Sequence, residues 1–254
     1  MQTQRFRMVV AYLGSNYRGW QRQDNVPSVQ AEVEKALAAV FDGLTATLEG
    51  SGRTDAGVHA TGQVAHADLP ATIPPASLVK ALNHNLPETI RIRSAAVVPE
   101  TFHSRINSRG KRYVYRIRWD GAPVLPPWQT LRSANIRPPK DPEHITSLVS
   151  MFRGRRDWAP FTVANPVTRT TVRTVFSATA VVQANGLRLE FVGDGFLRYQ
   201  IRRMVGALLQ VGWGHFDQSW LEAQLNSDRH SPDIFTAPAR GLTLEHVYFR
   251  TPGA

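Results

Sequence analysis

The chain of 254 residues reads as an α+β protein built from two ferredoxin-like halves. Three observations predict this. Hydrophobic periodicity in the first half runs strand, helix, strand, strand, helix, strand. The second half can be read in the same order. An Asn185-Gly186 dipeptide between two strand-like runs there is a strong hairpin signal.

In the first half, Arg5 to Leu13 alternates with the period of a strand. Pro27-Ser28 opens a helix that Ser28 can cap, with Val29, Val33, Leu37, Val40 and Phe41 at helical spacing. Ala46 to Glu49 and Gln63 to Asp68 are shorter strand-like runs separated by a glycine-rich loop. Ser77 can cap a second helix carrying Leu78, Ala81 and Leu82. Ile90 to Val98 closes the half. The order β-α-β-β-α-β is the split βαβ arrangement.

In the second half, Lys111 to Trp119 alternates, with Tyr113, Tyr115, Ile117 and Trp119 on one face. Glu143 to Phe152 fits a helix. Val172 to Gln183 and Leu187 to Val192 flank the hairpin turn. One helix then carries Leu197, Ile201, Met204, Val205, Leu208 and Leu209, and another runs from Gln218 to Leu225. Thr243 to Arg250 is the last strand. Pro123 to Pro127 and Pro138 to Pro142 read as loops. The expected domains are residues 1–104 and 105–254, their sheets forming one broad antiparallel or mixed surface, with helices behind and a cleft between.

Composition narrows the function. There is no cysteine, which excludes disulfides, thiolate metal sites and cysteine nucleophiles. Residues 1–14 mix charged and apolar types and lack the apolar run of a signal peptide. No stretch reaches the length of a membrane span, so the expected location is the cytoplasm. The formal net charge is +10. Excess arginine alone makes an ordinary basic protein, but an imbalance of this size points to a polyanion partner. Between Thr101 and Trp119 the basic residues Arg105, Arg109, Lys111, Arg112, Arg116 and Arg118 have no acid among them. Arg153, Arg155 and Arg156 form a second group, and Arg198, Arg202 and Arg203 a third. The planar arginine fork suits phosphate oxygens.

The most informative stretch is Gly50-Ser51-Gly52-Arg53-Thr54-Asp55-Ala56-Gly57-Val58-His59-Ala60. It lies between two predicted strands. An Asp and a Thr in such a turn can simply cap backbone amides. No Walker lysine or GxGxxG is present, so a phosphate-cradling loop fits poorly. Asp55, His59 and His66 do not fall at a familiar metal-ligand spacing. No metal and no cofactor are expected.

At these residues the chain resembles the tRNA pseudouridine synthase A (TruA) family. The segment from Gly52 to Ala60 is similar to the signature that holds that family's catalytic aspartate. Tyr17-Arg18-Gly19-Trp20-Gln21-Arg22-Gln23, Asn83 to Pro87, Phe102-His103-Ser104-Arg105, Lys111 to Tyr115, Phe196 to Gly206 and Gly241 to Leu244 resemble further family segments in order. One departure is Asp157-Trp158-Ala159-Pro160-Phe161, where the family commonly has Phe in place of Trp158.

The resemblance implies roles. Asp55 would be the nucleophile, Arg202 its charge partner, and Tyr113 the ring that packs on the uracil and takes part in proton transfer at C5. Leu242 would be an apolar wall of the pocket. Arg53 would help hold the target nucleotide out of the stack, and Arg198 would join in substrate binding. Arg105, Arg109, Lys111, Arg112, Arg116 and Arg118 would meet the tRNA backbone. The resemblance further implies uridines at tRNA positions 38–40 in the anticodon arm, and a homodimer. Without it, Tyr113 reads as a core tyrosine, Arg198 and Arg202 as a solvated basic helix face, and His59 as a residue that shapes the loop.

Two other classes compete. A non-catalytic RNA-binding protein with an RRM-like sheet would use Arg109 to Tyr115 as a recognition strand, but leaves the Asp55 loop unexplained. A carboxylate- or metal-dependent nuclease would need a second acid near Asp55, and the sequence supplies no convincing one.

Overall fold

Alternation along β1 (Thr3–Tyr12) places Phe6, Met8, Val10 and Tyr12 on one face, each at most 2% exposed. Burying four such side chains contributes about 6–12 kcal/mol before chain entropy is subtracted. The computed structural model describes residues 2–119 and 132–250; the Pro123–Pro127 loop reading lies outside them. Among the described residues the chain forms two compact units. One runs to Arg109 and takes back the chain from Leu244; the other is Gly110–Thr243.

The first unit continues with α1 (Val29–Val40), β2 (Glu49–Gly50), β3 (His59–Pro70), α2 (Pro75–Asn85) and β4 (Ile90–Val98). This is the expected β-α-β-β-α-β order. β1 lies between β4 and β3, antiparallel to both. Small residues face large ones across β1 and β3: Phe6 is opposite Ala67 and Met8 opposite Ala65. β2 pairs with β3 through Glu49–His66 and Gly50–Ala65 only.

Local chemistry accounts for the helix ends. Ser28 caps α1 by accepting a hydrogen bond from the Ala31 amide. The expected cap at Ser77 is not used. α2 starts earlier, behind Pro74, with Pro75 in its first turn, where the fixed φ and missing N–H of proline cost nothing.

The second unit holds β5 (Gly110–Trp119), β6 (Ala134–Ile136), α3 (Pro142–Leu148), β7 (Gly154–Asp157), β8 (Val172–Gln183), β9 (Gly186–Gly193), α4 (Gln200–Gly212) and α5 (Gln218–Leu225). The strand order is β5-β9-β8-β7. All of these pairs are antiparallel, and β6 adds a parallel pair on β5, so the class is α+β with a mixed sheet. Asp141 caps α3 at the Glu143 and His144 amides. A 3₁₀ turn at Val149–Phe152 follows, so the predicted single helix is two pieces. β6 and β7 are too short to carry a readable alternation.

The units do not divide where the sequence suggests. Residues 105–109 stay with the first unit because the Arg109 amide bonds to the Tyr248 carbonyl at 2.7 Å. The closing strand, β10 (Leu242–Tyr248), is assigned to the second half by sequence order. From Leu244 onward it belongs to the first unit, next to β3.

Trp158, the departure from the family pattern, is fully buried. Its indole nitrogen donates to the Arg173 carbonyl at 3.0 Å, and its ring packs against Phe152 and Phe161. No helix among the described residues is long and apolar enough to cross a membrane.

One glycine makes the packing of α4 testable. A Cβ on Gly206 would stand 1.8 Å from the Phe235 carbonyl oxygen. In an exposed helix, glycine to alanine gains about 1 kcal/mol. Here the clash is with backbone, and overpacking costs about 1–3 kcal/mol. Gly206→Ala is therefore expected to lower the thermal midpoint rather than raise it, as differential scanning calorimetry would show.

Candidate active site

The Asp55 loop links β2 to β3 and is tied to its surroundings at many points. Thr54 points inward, 6% exposed, and its hydroxyl shares a 2.8 Å hydrogen bond with the phenol of Tyr12. Burial pushes the Tyr12 pKa well above its ordinary value, so the phenol stays neutral. The Thr54 carbonyl accepts from the Trp20 amide at 3.2 Å, and the Tyr17 carbonyl from the Gly57 amide at 3.2 Å. Gln63, fully buried, donates to the Gly52 carbonyl at 2.8 Å and accepts from the Ser51 hydroxyl at 2.7 Å.

The segment Tyr17–Gln23 supplies the other side of this frame. Gly19 has φ +101°, and a Cβ there would lie 2.6 Å from the Thr54 carbonyl oxygen; only glycine permits both. Trp20 is buried and its ring lies 5.9 Å from that of Tyr12. His59 is fully buried, and its Nδ1 accepts from the Gly14 amide at 3.0 Å. His59 therefore shapes the loop, as its residue type allows. Asp55 itself is half-buried and Arg53 is exposed, with the Arg53 Nε donating to Gln21 at 3.3 Å.

The remaining predicted catalytic and substrate-binding residues lie in the second unit. Tyr113 on β5 is opposite Phe191, 7% exposed, and meets Phe196 edge to face at 5.5 Å. Leu242 is 5% exposed. Tyr115, two residues on, is a core residue: it has no exposure, its hydroxyl donates to the Pro238 carbonyl at 2.8 Å, and burial raises its pKa.

The third basic group resolves into three unlike residues. Arg198 and Arg202 do not share a helix face, because α4 begins at Gln200 and Arg198 precedes it. They nevertheless converge on one ring. The guanidinium carbons of Arg198 and Arg202 lie 4.8 and 4.9 Å from the centroid of Tyr199. Arg203 is not surface charge: it is 7% exposed and donates to the carbonyls of Pro160 and Ser231, and burial lowers its pKa. Arg202 is the one residue of α4 that is not buried. Its Nε donates to the Ala237 carbonyl at 2.8 Å.

Strand alternation also divides the basic run. Lys111 falls on the Tyr113 face of β5, and Arg112, Arg116 and Arg118 on the other. Arg116 is opposite Arg188 on β9, and Arg118 donates to Asn135 at 2.9 Å. Arg105 and Arg109 are exposed, in the first unit. Sequence reasoning missed Tyr12, Tyr199 and Gln63 as supports. Tyr12 and Gln63 read as strand residues, and only the fold shows where their polar tips arrive. Among the described residues no group of three or more His, Asp or Glu could hold a metal ion.

A family model described as tRNA pseudouridine synthase matches residues 8–106 and 148–250. The class is therefore that of the pseudouridine synthases, isomerases that rearrange a nucleotide already in RNA. A tRNA pseudouridine synthase A from Latilactobacillus sakei is 38% identical over 251 residues, covering 98% of this chain and all of the relative. One from Syntrophotalea carbinolica is 40% identical over 243 residues, covering 96% and 95%. One from Methylacidiphilum infernorum is 36% identical over 241 residues, covering 94% and 93%. This chain belongs to the tRNA pseudouridine synthase A (TruA) family.

The frame around Asp55 yields a prediction. Tyr12→Phe deletes the partner of a buried hydroxyl, which costs about 1–3 kcal/mol. The variant is expected to unfold at lower denaturant concentration. Its turnover should fall further than its affinity for tRNA, because the loop loses its inner anchor while the basic surface is intact. Equal losses in both would place the Tyr12 bond outside the loop's function.

Proposed function

We propose that this protein converts uridines of the tRNA anticodon arm, at positions 38–40, to pseudouridine, with Asp55 as nucleophile. The observation that carries this is the Asp55 loop. Its backbone and the side chains of Ser51, Thr54 and His59 are tied inward, and Asp55 itself is half-buried. A turn that merely capped its own amides would not need that support from β1, β3 and the Tyr17–Gln23 segment. Family membership favours the enzyme over the non-catalytic RNA-binding reading.

The reaction needs no redox partner. The bond from ribose C1′ to uracil N1 breaks, the uracil turns, and C1′ joins C5. C5 loses a proton and N1 gains one, so atoms and electrons balance within the nucleotide. Asp55 acts as a covalent nucleophile if it stays ionised and aimed. A cation close to a carboxylate favours its ionised form. Arg202 is the proposed cation. Tyr113 packs on the uracil ring and takes part in the proton transfer at C5, with Leu242 as an apolar wall. Arg53 and Arg198 bind the extruded nucleotide, whose unstacking costs a few kcal/mol.

Arg105, Arg109, Lys111, Arg112, Arg116 and Arg118 meet the phosphate backbone in this reading, the exposed Arg105 and Arg109 most directly. The enzyme works in the cytoplasm as a homodimer, without metal or cofactor.

Tritium release from C5-labelled uridine in tRNA reports the isomerisation directly. Asp55→Asn keeps the side-chain shape and removes the charge. It is expected to abolish release while leaving folding and tRNA binding intact; near-normal release would overturn the nucleophile assignment. Binding should also weaken steeply with salt, since each neutralised phosphate releases counterions. Arg105→Gln or Arg109→Gln should reduce the slope of log affinity against log salt by about one each. A slope unchanged in both variants would remove them from the interface.

A further inference from the structure

Tyr199 sits in an unusual place for a tyrosine. It precedes the first residue of α4 with φ +64° and ψ −3°, the left-handed region, and its side chain makes no capping hydrogen bond to the helix. Outside glycine, asparagine and aspartate this conformation is uncommon. Neighbours hold the turn on both sides. The Gln200 amide bonds to the Leu197 carbonyl at 3.1 Å, and the Leu197 amide to the Gln200 side chain at 2.9 Å. The Thr162 hydroxyl donates to the Arg198 carbonyl at 2.9 Å.

A strained residue persists when the surroundings over-determine it, and the strain then asks for a reason. The turn's shape does not require a tyrosine, because glycine would adopt it at lower cost. The ring is what glycine lacks. It lies 4.8 Å from the Arg198 guanidinium carbon and 4.9 Å from that of Arg202, within the range of cation–π attraction. The Tyr199 hydroxyl accepts from Arg198 at 3.0 Å. Arg202 is tied at its other side to Ala237, through Nε to the carbonyl at 2.8 Å and from the Ala237 amide to its own carbonyl at 3.1 Å.

We propose that Tyr199 is a positioning residue for the reaction: its ring and Ala237 together fix the plane of the Arg202 guanidinium. This rests on the reading of Arg202 as the charge partner of Asp55. The left-handed turn is the means of bringing the ring beside the first turn of α4. A guanidinium on a long side chain otherwise samples many rotamers, and a two-pronged cation works only when its plane is set.

The test uses the full chain, with melting temperature, tRNA affinity and single-turnover tritium release measured on four variants. Tyr199→Gly removes the ring and relieves the backbone strain. It is expected to melt no lower than the parent, yet to lose about ten- to a hundredfold in rate, the cost of a catalytic group displaced by roughly an ångström. Tyr199→Leu should lose a similar factor, and tRNA affinity should change little in both. Tyr199→Phe keeps the ring and is expected to restore most of the rate. Arg202→Ala is the control and should be nearly inactive. If Tyr199→Gly or Tyr199→Leu turns over normally while Arg202→Ala is inactive, the positioning role is overturned and the role of Arg202 stands. If Arg202→Ala turns over normally, both fall together. A rate loss that tracks a lower melting temperature across the Tyr199 variants would also overturn the proposal, because Tyr199 would then serve the fold alone.

Discussion

The buried hydrogen bond between Tyr12 and Thr54, 2.8 Å long, is the constraint on which the placement of Asp55 depends. It joins the end of the first strand to the residue just before the aspartate. The strand's alternation turns Tyr12 to the same face as Phe6, Met8 and Val10, so the phenol reaches the loop from the core. With Thr54 held, Asp55 has little freedom to swing, and its backbone carbonyl is fixed further by the Val58 amide at 3.1 Å. Preorganisation of this kind is paid for at folding and not at each turnover. The Tyr17–Gln23 segment is part of the same device, since Gly19 admits the Thr54 carbonyl where any side chain would exclude it.

The second unit solves a related problem for a cation. α4 is buried on nearly every side, and Arg202 is the exception. Its neighbour Arg203 faces inward onto two carbonyls. Adjacent arginines on one helix thus do different work, one structural and one accessible. Charge counting alone treats them alike. The same caution holds for β5, where strand geometry parts Lys111 from Arg112, Arg116 and Arg118.

Much of the first unit was legible in the sequence because its signals are local. Ser28 caps α1, and the period-two pattern of β1 needs no tertiary information. The Asp55 loop was legible through its resemblance to the family signature. What escaped had non-local causes. β2 is a two-residue strand that exists because Glu49 and Gly50 meet His66 and Ala65. The second helix starts at Pro75 rather than behind Ser77, because two prolines outcompete a serine cap. β10 is last in sequence but joins the first unit, a return that no local pattern encodes. Arg198 and Arg202 suggest a helix face by their spacing of four. The left-handed Tyr199 breaks that inference, and sequence offers no signal for a strained tyrosine.

In the proposed function Asp55 and Arg202 act as one catalytic unit. A double-mutant cycle with Asp55→Asn, Arg202→Ala and the combined variant, read by single-turnover tritium release, tests it most directly. Residues that act together lose their effect together. The account predicts that the double variant is scarcely slower than the slower single variant. Rate losses that multiply would contradict it, because each residue would then be contributing to the reaction independently.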